Sequence, residues 1–212
     1  MALLIEESWL PATINHPPMS DEDFAEFCSE HPDLFFEMTA DGEIVIMPPP
    51  YTLTGVRCSE INGQLWYWNR MAQRGASVEA TGGFVLPSGA RRSPDAALTT
   101  HRRIVKVSAR EMGRFWHVCP NFVVELKSDH DRLRAVRAKM REWIENGVEL
   151  GWLIDPDRRA VEVFRAEAPP EILLGIDTIA GEGPVEGFVL DLKPVWEPPS
   201  VADHMTDTSW EN

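Results

Sequence analysis

At 212 residues, 43% hydrophobic and 25% charged, the chain has the length and composition of one globular domain with a full core. A formal charge of −14 argues against a protein that coats nucleic acid with its whole surface, and no apolar run approaches the roughly 20 residues of a membrane span. The three cysteines, Cys28, Cys58 and Cys119, are widely spaced with no C-x-x-C pair, which excludes a thiol zinc or redox motif and fits ordinary thiols in a reducing cytoplasm.

The N-terminal MALLIEESWLP lacks the basic stretch of a signal peptide. Ser20 with Asp23 three residues on predicts a capped short helix that stops before Pro32. In LFFEMTADGEIVIMPPP, two apolar runs flank Asp41-Gly42, a hairpin signal that the prolines 48–50 end. Residues 53–74 predict a long helix, with Val56, Ile61, Leu65, Trp68 and Met71 at roughly helical spacing and Gly75 as the stop. Trp66 and Trp68 fall on different sides of it, one suited to the core and the other to an interface or a base-stacking surface. ASVEA, GFVLP and SPDAALTT read as strands, SAREMGRFW as a short helix capped by Ser108, and NFVVELK as a strand.

The segment DRLRAVRAKMREWIENG is the strongest helix signal, with Leu133, Val136, Met140, Trp143 and Ile144 in one apolar stripe and Gly147 as its stop. LGWLIDP and AVEVFR follow as strands, then EILLG and GFVLDL as edge strands. This order predicts an α/β (mixed α+β) fold, a central mixed sheet flanked by helices, in a single domain over 1–196. Residues 197–212 are rich in proline and polar residues and read as a loose tail.

Charge is unevenly distributed. Residues 91–141 hold 13 of the 20 basic residues against five acidic ones, a net of +8 that leaves −22 elsewhere. A basic segment on an acidic body is compatible with one face that meets a polyanion. Within it, Glu125 and Lys127 share one face of the strand NFVVELK, and Pro94-Asp95 enters another strand 30 residues earlier. Two carboxylates with an amine form a hard, oxygen-rich pocket of the kind magnesium takes. A cation there polarises a phosphoryl group and acidifies a water, and an ammonium beside it orients that water.

The spacing of PD and ELK matches the PD-(D/E)XK nuclease signature. FEMTADGEIVIMPP, SPDAAL, PNFVVELKS and KMREWIENGVELGWLIDP…VEVFR, in this order, resemble the Uma-two family of bacterial restriction-endonuclease-like proteins from about residue 20 to about residue 193. The resemblance implies a restriction-endonuclease-like core and a Mg²⁺ (or Mn²⁺) ion held by Asp95, Glu125 and the Leu126 carbonyl. It also implies Lys127 as the catalytic lysine and Glu60 as an additional acid. Many members lack the motif lysine, which this chain carries. The expected activity is metal-dependent hydrolysis of DNA. The basic residues Arg91, Arg92, Arg132, Arg137 and Lys139 are the candidates for phosphate contacts, and a homodimer is favoured. The competing expectation, drawn from the acidity outside the basic segment, is a non-catalytic binding or assembly protein that keeps the nuclease fold.

Overall fold

The computed structural model describes residues 12–17, 19–47 and 50–198. Most of the expected tail, 199–212, and the first two prolines of the 48–50 run lie outside them.

A six-stranded sheet forms the centre, in the order β11-β10-β9-β8-β7-β4. Its strands are β4 (Gly75–Glu79), β7 (Ala96–Thr100), β8 (Phe122–Leu126), β9 (Leu150–Asp155), β10 (Ala160–Arg165) and β11 (Glu171–Leu174). All neighbours are antiparallel except β8 and β9, which run parallel with Leu126 opposite Ile154. A parallel pair needs a crossover, and α4 (Leu133–Glu145) supplies it.

Alternation along β8 divides the core. Phe122, Val124 and Leu126 pack on one face with Ile61 and Leu65 of α2 (Thr52–Ala72) and with Trp152. Val123 faces the other way, with Leu153, Phe164 and the α4 stripe Val136, Met140 and Trp143. The alternation that fills both faces with apolar groups therefore also carries Glu125 beneath α4.

A second sheet, in the order β1-β3-β2-β6-β5, joins β1 (Ala12–Ile14), β2 (Phe35–Met38), β3 (Ile44–Met47), β5 (Phe84–Val85) and β6 (Arg91–Arg92). Its β2–β3 hairpin is the one expected around Asp41-Gly42, and α1 (Asp21–Glu30) packs Phe24 against it. Ser20 caps α1, accepting from the Asp23 N–H at 3.1 Å. A small pair, β12 (Thr178–Ala180) and β13 (Val189–Asp191), and the short α5 (Lys193–Trp196) close the α2 side.

Two elements depart from expectation. The helix expected over 108–116 is a single 3-10 turn, Glu111–Gly113. Ser108 and Glu111 do form a reciprocal cap, but Phe115 leaves to pack on Phe24. A four-residue helix, α3 (His101–Ile104), follows β7 instead. In α2 the stop is Gln73 in the left-handed region (φ 52°), not Gly75. Asn69 ties off the helix end, accepting from the Arg74 N–H and donating to the Gly75 carbonyl at 3.0 Å.

Candidate active site

Asp95 and Glu125 meet. Asp95 precedes β7, Glu125 lies on β8, and the antiparallel register puts Ala96 opposite Val124. The Leu126 N–H donates to Asp95 Oδ2 at 2.6 Å, which joins the two strands at this point. From α2, Asn62 donates to the Asp95 carbonyl at 2.8 Å.

Glu125 is buried, and both its oxygens are engaged from α4. Trp143 Nε1 donates to Oε1 at 2.7 Å and Lys139 Nζ to Oε2 at 3.0 Å. The same Lys139 ammonium donates to the Ser93 carbonyl at 3.0 Å and pairs with Glu37 Oε1 at 2.8 Å. Glu37, buried on β2, accepts in addition from the Ser93 N–H at 3.0 Å and from Arg92 at 2.9 Å. Arg92 pairs in turn with Glu142 at 2.6 Å. One connected network thus holds three carboxylates, Glu125, Glu37 and Glu142, around two cations, Lys139 and Arg92, with Asp95 beside it on the Leu126 N–H.

Burial shows in the proton affinities. Burial pushes Glu125 up to about 8; Lys139 opposes this, while Asp95 and Glu37 add to it. Burial raises Asp95 as well, against the pull of Lys139 and the Leu126 N–H. Glu37 is desolvated too, but Lys139 and Arg92 outweigh that and hold it below its ordinary value. Lys139 resists the cost of burial because Glu125, Glu37 and Asp95 surround it, and its pKa is raised. Cys58, half-buried on α2, is pushed up to about 12 by burial and by the charges of Asp95 and Glu125.

Several expected site residues stand elsewhere. Lys127 Nζ lies 2.8 Å from Asp157 and 3.2 Å from the Ser128 carbonyl, not on the carboxylate pair. The turn after β9 brings an exposed carboxylate within its reach, whereas Lys139 already fills the space beside Glu125. Glu60 is separated by two residues from Cys58 and from Asn62, the α2 residues that face the pocket. That spacing puts it about 160° round the helix from both. Among the assigned phosphate binders, Arg91 is buried, pairs with Asp21 and donates to the Met19 carbonyl at 3.1 Å. Arg92 is held by Glu37 and Glu142 as described, and Arg137 grips Glu162 of β10 through Nε at 2.7 Å. Lys139 sits in the pocket rather than on the surface. Of the five, Arg132 alone is exposed and without an ion pair among the described residues.

Sequence reasoning missed the parts of Glu37, Trp143 and Lys139 here, although Glu37 and Lys139 each leave a trace. Glu37 is the charged residue inside an apolar hairpin strand. Lys139 is three residues from Val136 and four from Trp143, which puts it on the edge of the apolar stripe and not away from it.

No group of three or more His, Cys, Asp or Glu side chains suited to one metal ion occurs among the described residues. Two carboxylates do suffice for magnesium, which keeps several waters and is completed by substrate oxygens. Asp95, half-buried, and Glu125, buried, fit that donor set.

The chain matches the family model Uma2, described as "Putative restriction endonuclease", over residues 21–193. A crystal structure of a putative nuclease belonging to DUF820 from Anabaena variabilis ATCC 29413 has the same fold. It aligns at a TM-score of 0.67 and 19% identity over 76% of this chain and 89% of that one. No curated protein matches the chain.

Proposed function

This chain belongs to the Uma2 family, and on that premise we propose that it is a metal-dependent nuclease that hydrolyses DNA phosphodiester bonds at the Asp95–Glu125 pocket. The observation that carries the reading is the convergence of the buried Glu125 and half-buried Asp95 carboxylates with the half-buried ammonium of Lys139, at 3.0 Å from Glu125.

Asp95 and Glu125, with the Leu126 carbonyl, would hold Mg²⁺ or Mn²⁺. Once bound, the ion would polarise the phosphoryl group and lower the pKa of a water. The remaining work falls to the chain. Leu126 N–H and Trp143 Nε1 fix the orientation of the two carboxylates. Lys139 would offset negative charge that develops on a phosphoryl group bound beside it, and would orient the attacking water by releasing one of its three acceptors, the Ser93 carbonyl, Glu37 or Glu125. Glu37 holds Lys139 in place and is itself held by Arg92 and the Ser93 N–H. In this reading the lysine of the E-x-K motif gives its role to a lysine on the following helix. Lys127 serves the turn at Asp157.

The test is nicking of supercoiled plasmid with Mg²⁺ or Mn²⁺. Lys139→Ala and Glu125→Ala are expected to lower the rate by about 100-fold or more, and Lys127→Ala by less than about tenfold. Lys139→Arg, which keeps the charge in a different shape, controls for loss of fold. An intact protein that never nicks, or one indifferent to Lys139→Ala, rejects the assignment. A second reading draws on the cations already consumed by internal ion pairs: a binding or assembly protein with no turnover. It predicts no nicking with either metal.

A further inference from the structure

The unused side of α2 is self-complementary, and we propose that it joins two copies of this chain as an antiparallel dimer. This goes beyond the catalytic reading and does not depend on it. The helix is 21 residues long and buries Ile61, Leu65 and Asn69 against the sheet. Its opposite side leaves Leu53, Trp66, Tyr67 and Met71 between 44% and 74% exposed. Along that side, Leu53, Val56, Glu60, Gly63, Tyr67 and Arg70 recur at alternating intervals of three and four, the spacing of a seam between two helices. Gly63 sits at mid-seam as an open notch, with nothing within 4 Å of where its Cβ would be.

Charge selects the occupant and the direction. Among the described residues neither Glu60 nor Arg70 has an ion-pair partner, and the Arg70 guanidinium is propped over its own Trp66 ring at 5.6 Å. In a two-fold antiparallel crossing centred between Gly63 and Tyr67, Gly63 receives the partner's Tyr67 and Glu60 meets the partner's Arg70. Both contacts occur twice by symmetry. A parallel pairing would set Glu60 against Glu60 and Arg70 against Arg70. Two acidic bodies repel, so the packing of Tyr67 into the Gly63 notch together with these two ion pairs must overcome that repulsion.

Sedimentation equilibrium of the full chain over a range of micromolar concentrations tests the proposal. A reversible dimer is expected. Glu60→Arg should weaken it by about tenfold or more, Arg70→Glu likewise, and the combined swap should recover most of the loss. Tyr67→Ser, at an exposed position that folding does not require, should also dissociate it. A monomer at every concentration overturns the proposal, whatever covers the face within one chain. So does a dimer indifferent to Glu60→Arg and Tyr67→Ser, or a double swap no tighter than the single ones. Nuclease activity enters none of these readouts, so the two proposals fail separately.

Discussion

Lys139 and Lys127 show how little a residue's neighbours in sequence say about its partners in space. Both are lysines near Glu125, one two residues away along a strand and the other 14 residues on, across a helix. The nearer one is bound to Asp157, and the farther one reaches the carboxylate. Lys127 lies just past the end of β8, where strand alternation no longer fixes its direction, whereas the crossover helix α4 lays its stripe directly over the strand it follows. Glu125 itself supports a pH prediction. Its folded pKa of about 8 lies above the ordinary value of 4.5, so between these the folded state keeps a proton that the unfolded state has lost. Stability is then lost as pH rises through that window. Denaturant melts in EDTA at about pH 5 and about pH 9 should show the fall, on the order of a few kcal/mol. Glu125→Gln, which cannot titrate, should flatten it. An equal fall in both proteins would assign the pH dependence to other groups.

At the level of elements, two glycines of similar appearance in sequence carry opposite expectations. Gly75 opens β4, where a Cβ would lie 2.0 Å from the Thr99 carbonyl oxygen of β7. Backbone cannot yield as a side-chain tip does, so Gly75→Ala must push the edge strand off the sheet. A loss of about 3 kcal/mol or more is expected. Gly55 lies in α2 with open space around its missing Cβ. Gly55→Ala should raise stability by about 0.5–1 kcal/mol through helix propensity alone. Thermal or denaturant unfolding of the two variants checks the pair, and a neutral Gly75→Ala would mean that the β4–β7 contact is looser than described. The β2–β3 hairpin is the other instructive element. Its turn and apolar runs were plain in the sequence. That its Glu37 crosses to the main site through Lys139 depends on where the second sheet docks.

For the whole molecule, most cations of the +8 segment are paired within the chain, some at its surface. Arg91, Arg92, Arg137 and Lys139 are committed to carboxylates or backbone, Arg103 pairs with Glu149, and Arg110 and Arg114 pair with Glu22. Around α4, the exposed arginines without an ion pair among the described residues are Arg132, Arg134 and Arg141. DNA binding should therefore depend weakly on salt. The slope of log affinity against log salt is expected to be no steeper than about −3, from about 0.9 per neutralised phosphate. A fluorescence-anisotropy titration with labelled duplex measures it, and a slope near −8 would mean that many more phosphates are met than this surface allows.

The sequence by itself determined the hairpin around Asp41-Gly42, the two long helices and the mixed central sheet. These follow from side-chain periodicity and local stop signals, which act within one element or between adjacent strands. The places of Glu37, Lys139 and Trp143 were decided by the tertiary structure, as was the turn of Glu60 away from the pocket. Each of these depends on how elements distant in sequence pack together. A buried charge takes whichever opposite charge the packing brings nearest, because leaving it unpaired away from water costs more than any local preference can return.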